Sequence, residues 1–180
     1  MILSSKRKMQ PPQADAHAIA SFRRFYTLLP RSDDAALLIL KLHLLIEEQI
    51  RAFVDERLQH KSALVQARLD CHQAICLAES LCTEDIHPNV WKAARKLNRL
   101  RNDVAHSLEP SAGVRDRMAH VCTLMGLSND TPQGTELRAQ KLTPFDNFSF
   151  AVSLLHTKLS VCVKRKPAEI LRLVQDGGDV

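Results

Sequence analysis

Residues 35–58, AALLILKLHLLIEEQIRAFVDERL, decide the fold, because they contain the strongest helical pattern in the chain. Residues 35–46 are apolar on nearly every side, which is typical of a central, buried helix. Residues 47–58 keep apolar side chains at three- and four-residue steps, with charged residues between them. Ser32 is the predicted N-cap, with acidic Asp33 and Asp34 in the first turn. The pattern predicts one long helix around which the rest of the chain packs.

Five further helices are predicted from apolar spacing, capping residues and prolines. They cover residues 14–29, 63–82, 87–108 and 111–124, and a last helix begins at Thr143 with Pro144 in its first position. Glycine is scarce, at five residues, and no segment has a convincing strand alternation. The predicted fold class is all-α, an antiparallel helical bundle. We expect one domain over residues 13–175, with an internal loop at 127–142 and a flexible basic tail at 1–12.

The composition limits the classes of protein to consider. The 180-residue chain has 25 Lys and Arg against 20 Asp and Glu, a net charge of +5. A basic surface suits contacts with nucleic-acid phosphates, although many proteins with other roles share it. No apolar run follows the basic N-terminus as in a secretory signal, and the longest run, 35–40, is too short to cross a membrane. We therefore expect a cytoplasmic protein with no membrane partner.

Cysteine and histidine spacing gives no indication of a metal. The five cysteines are odd in number and form no Cys-x-x-Cys pair, so neither a disulfide framework nor a zinc knuckle is indicated. No His-x-x-x-His or Glu-x-x-His pair comes with matching ligands, so we predict no metal site and no cofactor. His43 lies in the apolar half of the long helix, where we expect a hydrogen-bonded core residue rather than a ligand.

The helix predicted at 87–108 has an unusual polar side. Leu97, Leu100, Val104 and Leu108 recur at three- and four-residue steps and form its predicted buried stripe. Polar residues share the other side: Arg95, Asn98, Arg99, Asn102 and His106. Arg101 lies at the edge of the apolar stripe, so its side chain either extends to solvent or has a polar partner from outside the helix.

Arg101, Asn102 and His106 suit phosphodiester chemistry. Arginine binds a phosphate as a two-pronged donor, asparagine orients it, and histidine transfers protons near neutral pH. Asn102 and His106 are four residues apart, so they are neighbours on a helix and can act on one ligand. The alternative is a polar helix face that ends in a capping histidine, and spacing alone does not exclude it.

The ten residues 97–106, LNRLRNDVAH, resemble the signature of the HEPN superfamily. That signature is Arg, four to six residues, then His, most often with Asn after the Arg and Ala before the His. Arg101 and His106 match it with Asn102 and Ala105 in the accompanying places. The resemblance covers about residues 32–124, and it is closest to the stand-alone mannitol-repressor-like proteins and related toxin or abortive-infection proteins.

The resemblance implies a helical bundle that dimerises through its motif helices, so that Arg and His from both subunits form one cleft. Many members are metal-independent ribonucleases that act as toxins or in phage defence, with RNA as substrate and a cognate antitoxin as partner. Others are non-catalytic regulators or binding modules, and this remains the alternative function.

Site residues follow from the motif by position. Arg101, Asn102 and His106 are the expected catalytic residues. The resemblance and the shared helix face add the expected substrate-binding residues, which are Arg95, Asn98, Arg99, Glu47 and Glu48. Arg99 also satisfies the signature spacing to His106, so either arginine could be the signature one. Toxins paired with a nucleotidyltransferase antitoxin commonly have Tyr two residues after the His, where this chain has Leu108, which puts that form of neutralisation in doubt.

Overall fold

The structure is a computed structural model that describes residues 13–30, 34–83, 86–107, 113–127 and 142–163. These residues form seven helices and no strand, so the all-α prediction is confirmed. The helices are α1 (Gln13–Leu28), α2 (Ala35–Arg57), α3 (Lys61–Ala67), α4 (Cys71–Leu81), α5 (Asn89–Ala105), α6 (Val114–Leu124) and α7 (Pro144–Val163). The predicted basic tail and most of the predicted internal loop lie outside the described residues.

Helix α2 is the long helix that the sequence predicts, with two corrections. Its N-cap is Asp34, whose carboxylate accepts hydrogen bonds from the backbone N–H groups of residues 36 and 37, whereas Ser32 and Asp33 lie outside the described residues. Its apolar half is not buried all round, since Leu37 and Leu44 are exposed. Among the described residues, one apolar side of α2 is therefore exposed to solvent, while its buried side packs on other helices.

The helix predicted at 63–82 is in fact two helices, α3 and α4. Arg68 adopts a left-handed backbone conformation with φ of 47°, which ends α3. Asp70 then begins α4 with a capping box, in which Asp70 and Gln73 each bind the other's backbone N–H. The Asp-x-x-Gln spacing is readable in the sequence, but the continuous apolar pattern across it concealed the break.

Helix α5 has the predicted buried stripe and one unpredicted member. Leu97, Leu100 and Val104 are buried as expected, while Asn98, assigned to the polar side, is also buried. Buried amides need hydrogen-bond partners, and a neighbouring helix supplies one for Asn98. The predicted end of this helix at Leu108 lies outside the described residues, and the last helical residue is Ala105.

The end of α6 and the start of α7 have recognisable capping features. Helix α6 begins at Val114, and Gly126 follows it with a φ of 82°, a conformation that glycine adopts without strain. Helix α7 begins as predicted, with Thr143 and Asp146 binding each other's backbone N–H groups.

Helix α2 lies at the centre of the packing. It contacts α4, α5 and α7, while α1 packs on α7 and α6 packs on both α5 and α7. Phe53 of α2 meets Trp91 of α5 edge-to-face, with ring centroids 6.0 Å apart. This contact fixes α5 along α2 and thereby sets where the polar residues of α5 lie. No helix in the described part of the chain is both long and apolar enough to span a membrane.

Candidate functional site

The residues on the predicted polar side of α5 lie in three different environments. Arg95 forms an ion pair with Glu79 of α4, so its charge is already neutralised. Asn98 points into the protein interior. Arg99 and Asn102 are exposed on the side that faces α6. Of the expected substrate-binding residues on α5, only Arg99 is therefore open to a ligand on the side of Asn102.

Arg99 and Asn102 line a surface cleft of about 550 Å³ between α5 and α6. Its other lining residues are Lys96 and Asp103 of α5, and Asp116, Arg117 and His120 of α6. Arg117 forms an ion pair with Asp103, with 3.5 Å between Nε and the nearer carboxylate oxygen, which holds α6 against α5. Half-buried Lys96 and exposed Arg99 lie on either side of the Asn102 amide, and this part of the cleft, away from Asp116, gives a surface on which a phosphate chain can lie.

Arg101 lies on a different side of α5 from Arg99. It is half-buried, and its Nη1 donates a hydrogen bond of 3.0 Å to Oδ1 of Asn102. Its positive charge also acts on His43 and Cys71, which places it towards α2 and the start of α4. Asn102 thus joins the two arginines, since it binds Arg101 and lines the cleft beside Arg99.

His106 is the C-cap of α5, with φ of −105° and ψ of 5°. Its backbone N–H donates to the carbonyl oxygen of Asn102 at 3.1 Å, while its side chain is exposed. Within the described part of the chain no hydrogen bond joins its ring to Arg101 or Asn102. The imidazole is therefore free to meet a ligand or a second subunit.

A buried polar cluster lies beneath Arg101 and was not predicted. His43 is 3% exposed, and its Nε2 is 3.0 Å from Oδ1 of Asn98 and 3.4 Å from Sγ of Cys71. Its Nδ1 is 3.8 Å from a carboxylate oxygen of Glu47. We call His43, Glu47, Cys71 and Asn98 the His43 cluster. His43 is a buried, hydrogen-bonded residue as expected, but its partners come from three helices.

Burial governs the protonation of this cluster. It lowers the pKa of His43, against the opposing effects of Asn98 and Glu47. It also raises the pKa of the Cys71 thiol to about 12, with the nearby carboxylate of Glu47 adding to the rise. Both groups are therefore neutral near pH 7 unless a ligand changes their surroundings.

The two glutamates expected at the site face different neighbours. Glu47 accepts hydrogen bonds from Arg51 and belongs to the His43 cluster. Glu48 forms an ion pair with Arg24 of α1 and so lies on the α1 side of α2. The structure places Glu47 beside His43 and Cys71 and leaves Glu48 with α1.

The His43 cluster has a faint sequence signal. His43 and Glu47 are four residues apart on one helix, a spacing that places both on one side. Cys71 comes from another helix, so only the packing of α4 on α2 reveals it.

Comparisons of the chain with protein-family models, with curated proteins and with solved structures gave no match.

Proposed function

We propose that this chain is a cytoplasmic, metal-independent endoribonuclease of HEPN type that acts as a toxin or phage-defence effector. The observation that supports this best is the end of α5, where Arg101 donates a hydrogen bond to Asn102 beside a partly basic cleft and the His106 ring is exposed, with no hydrogen bond to Arg101 or Asn102 among the described residues. The motif resemblance alone does not require these side chains to be exposed. In the structure, the side chains of Asn102 and His106 are both exposed at the same end of α5.

The proposed reaction uses the RNA 2′-hydroxyl as nucleophile. The 2′-oxygen loses its proton and bonds to the adjacent phosphorus, while the bond from phosphorus to the 5′-oxygen breaks and that oxygen gains a proton. His106 transfers these protons, and the Arg101 guanidinium stabilises the charge that the phosphate oxygens gain. The products are a 2′,3′-cyclic phosphate and a free 5′-hydroxyl.

Arg99 and Lys96 have a different role in this proposal. Both line the α5–α6 cleft beside Asn102, so they suit the phosphates that flank the reacting one. Contacts of this kind bind the strand without reading its bases. The cleft therefore contributes to affinity, and the end of α5 contributes the chemistry.

The proposal is tested by incubating the purified chain with total RNA in EDTA, beside the His106→Ala variant. We expect the wild type to cleave RNA and the variant to lose activity by roughly 100-fold or more, the usual contribution of a general acid–base residue. His60→Ala is the matched control, because His60 is exposed and makes no side-chain cap bond at α3. Gel electrophoresis of the RNA measures the result.

Three outcomes would contradict this proposal. Intact RNA with both the wild type and His106→Ala would indicate a non-catalytic regulator or binding module on the same fold, and equal cleavage by both would exclude His106 as a catalytic residue. Activity that disappears in EDTA and returns with magnesium would contradict the metal-independent mechanism.

If the protein is a toxin, its expression should slow the growth of a bacterial host, and His106→Ala at equal protein level should relieve this.

We further propose that the active form is a homodimer in which the α5 ends of two subunits meet. Arg101 is only half-buried within one subunit and His106 is exposed, so a second copy would complete the surroundings of both. We expect light scattering at micromolar concentration to give twice the chain mass. A monomeric mass for a protein that still cleaves RNA would exclude the composite site.

A further inference from the structure

The His43 cluster contains three kinds of metal-binding atom at close range. A ring nitrogen of His43, a carboxylate oxygen of Glu47 and Sγ of Cys71 all lie within 4.8 Å of one another. Helix α2 supplies the first two from one turn, and Cys71 is the first residue of α4. The packing of α4 on α2 therefore assembles a set that neither helix has alone.

The hydrogen bond to Asn98 determines which nitrogen of His43 is available. Oδ1 of Asn98 can only accept, so Nε2 carries the proton and donates to it at 3.0 Å. In the neutral ring, Nδ1 then carries a lone pair. Nδ1 is buried, and no hydrogen-bond donor reaches it among the described residues.

The lone pair of Nδ1 faces a negative group. The Glu47 carboxylate oxygen Oε2 is 3.8 Å away, while the other oxygen of that carboxylate accepts from Arg51 at 2.6 Å. Two electron-rich atoms at this separation repel each other, because the His43 side chain is buried, and a cation between them removes the repulsion. A metal ion serves without protonating the ring.

We propose that His43, Glu47 and Cys71 bind one zinc ion. Zinc takes nitrogen, oxygen and sulfur ligands together in a tetrahedral arrangement, whereas calcium and magnesium prefer oxygen alone. Three protein ligands leave a fourth position for water. Asn98 would then act as the residue that orients the metal-binding histidine, as second hydrogen bonds to such rings generally do.

Charge and access agree with this assignment. The carboxylate of Glu47 and the thiolate of Cys71 supply two negative charges for the two positive charges of zinc, and the Glu47 oxygen Oε2 points to His43 while Oε1 pairs with Arg51. Binding breaks the Cys71 S–H bond, forms a bond from sulfur to zinc, and releases the proton to solvent. The Glu47 side chain is 21% exposed and Cys71 is half-buried, so an ion can enter from solvent. The site lies on the side of Arg101 that faces α2 and α4, and its test does not depend on RNA cleavage.

The test is metal titration of the full chain after chelator treatment and removal of the chelator. We expect one equivalent of zinc to bind, and one equivalent of cobalt to give the near-ultraviolet absorption of a cobalt–thiolate bond. Cys71→Ser should abolish that absorption, and Glu47→Gln should weaken zinc binding at least tenfold. Cys76→Ser is the matched control, because Cys76 is an exposed cysteine on the same helix.

Circular dichroism of each variant before titration separates loss of the site from loss of the fold, and both test substitutions preserve side-chain size. Zinc uptake by the wild type no greater than by folded Cys71→Ser would overturn the proposal. A cobalt complex without thiolate absorption, or one whose absorption is lost in Cys76→Ser instead, would equally overturn it.

Discussion

An RNA oligonucleotide with a 2′-O-methyl group on every sugar is expected to stay intact where the unmodified strand of the same sequence is cleaved. The proposed mechanism makes the 2′-oxygen the nucleophile, and methylation removes the proton that it must lose. Single-stranded DNA of the same sequence should be inert for the same reason. Electrophoresis of end-labelled strands measures the difference, which should be complete within the detection limit. Cleavage of the methylated strand at the unmodified rate would refute attack by the 2′-hydroxyl.

The same oligonucleotide distinguishes the two arginines. Arg101→Ala should lose most of the rate, and Arg101→Lys should recover only part of it, because a point charge cannot replace a two-pronged donor. Arg99→Ala should mainly weaken binding, since Arg99 lines the cleft rather than contacting Asn102 as Arg101 does. A full loss of rate in Arg99→Ala with an active Arg101→Ala would reverse the two roles.

The stability of the protein is expected to fall as the pH drops from about 6.5 to about 4, partly because of His156 on α7. His156 is 1% exposed, its Nε2 is 3.4 Å from the Ser21 hydroxyl, and its ring packs on Phe25. Burial lowers its pKa from 6.5 to about 4, so the unfolded chain takes up a proton before the folded one does. The contribution is fully present above pH 6.5 and is lost as the pH falls, by about 3 kcal/mol in all.

Urea denaturation of the wild type and His156→Leu at several pH values measures this effect. Leucine is similar in size and cannot be protonated, so the variant should lose less stability in acid than the wild type. The slope of the free energy of unfolding against pH should be smaller in the variant but not zero. The reason is that burial also lowers the pKa of His43, which contributes a slope of the same sign. His60→Ala, at an exposed histidine, should keep the wild-type slope. Equal slopes for the wild type and His156→Leu would show that His156 is not kept neutral by burial.

Local sequence patterns predicted most of the fold. The apolar spacing identified α1, α2, α5 and α7, because a helix that packs on one side repeats its apolar residues every three to four positions. The break between α3 and α4 was missed, since Arg68 adopts a conformation that non-glycine residues seldom show and that no pattern announces. The apolar periodicity of a sequence indicates which side of a helix is apolar. It does not indicate a single residue, such as Arg68, whose backbone leaves the helical conformation.

The candidate site was predictable only where one helix contains it. Residues 101–106 could be placed near the end of one helix from the sequence, whereas the hydrogen bond from Arg101 to Asn102 was not predicted. Asn98 was assigned to the wrong environment, because its partner His43 is 55 residues away on α2. Glu47 and Glu48 are adjacent in sequence, yet one faces Cys71 and the other faces Arg24. The register between helices decides such cases, and local spacing carries no information about it.

Helix α3 is expected to open locally more often than the longer helices of the core. It has seven residues, and the described side chains include none that is fully buried, with Val65 78% exposed. A helix of this length has little stability of its own in water. Its amide hydrogens should therefore exchange with solvent through local fraying, whereas the amide hydrogens of α2 should exchange only when the whole domain unfolds. The residues between α2 and α4 mainly connect these two helices. A change in the length of this connection should therefore cost the core little free energy of unfolding.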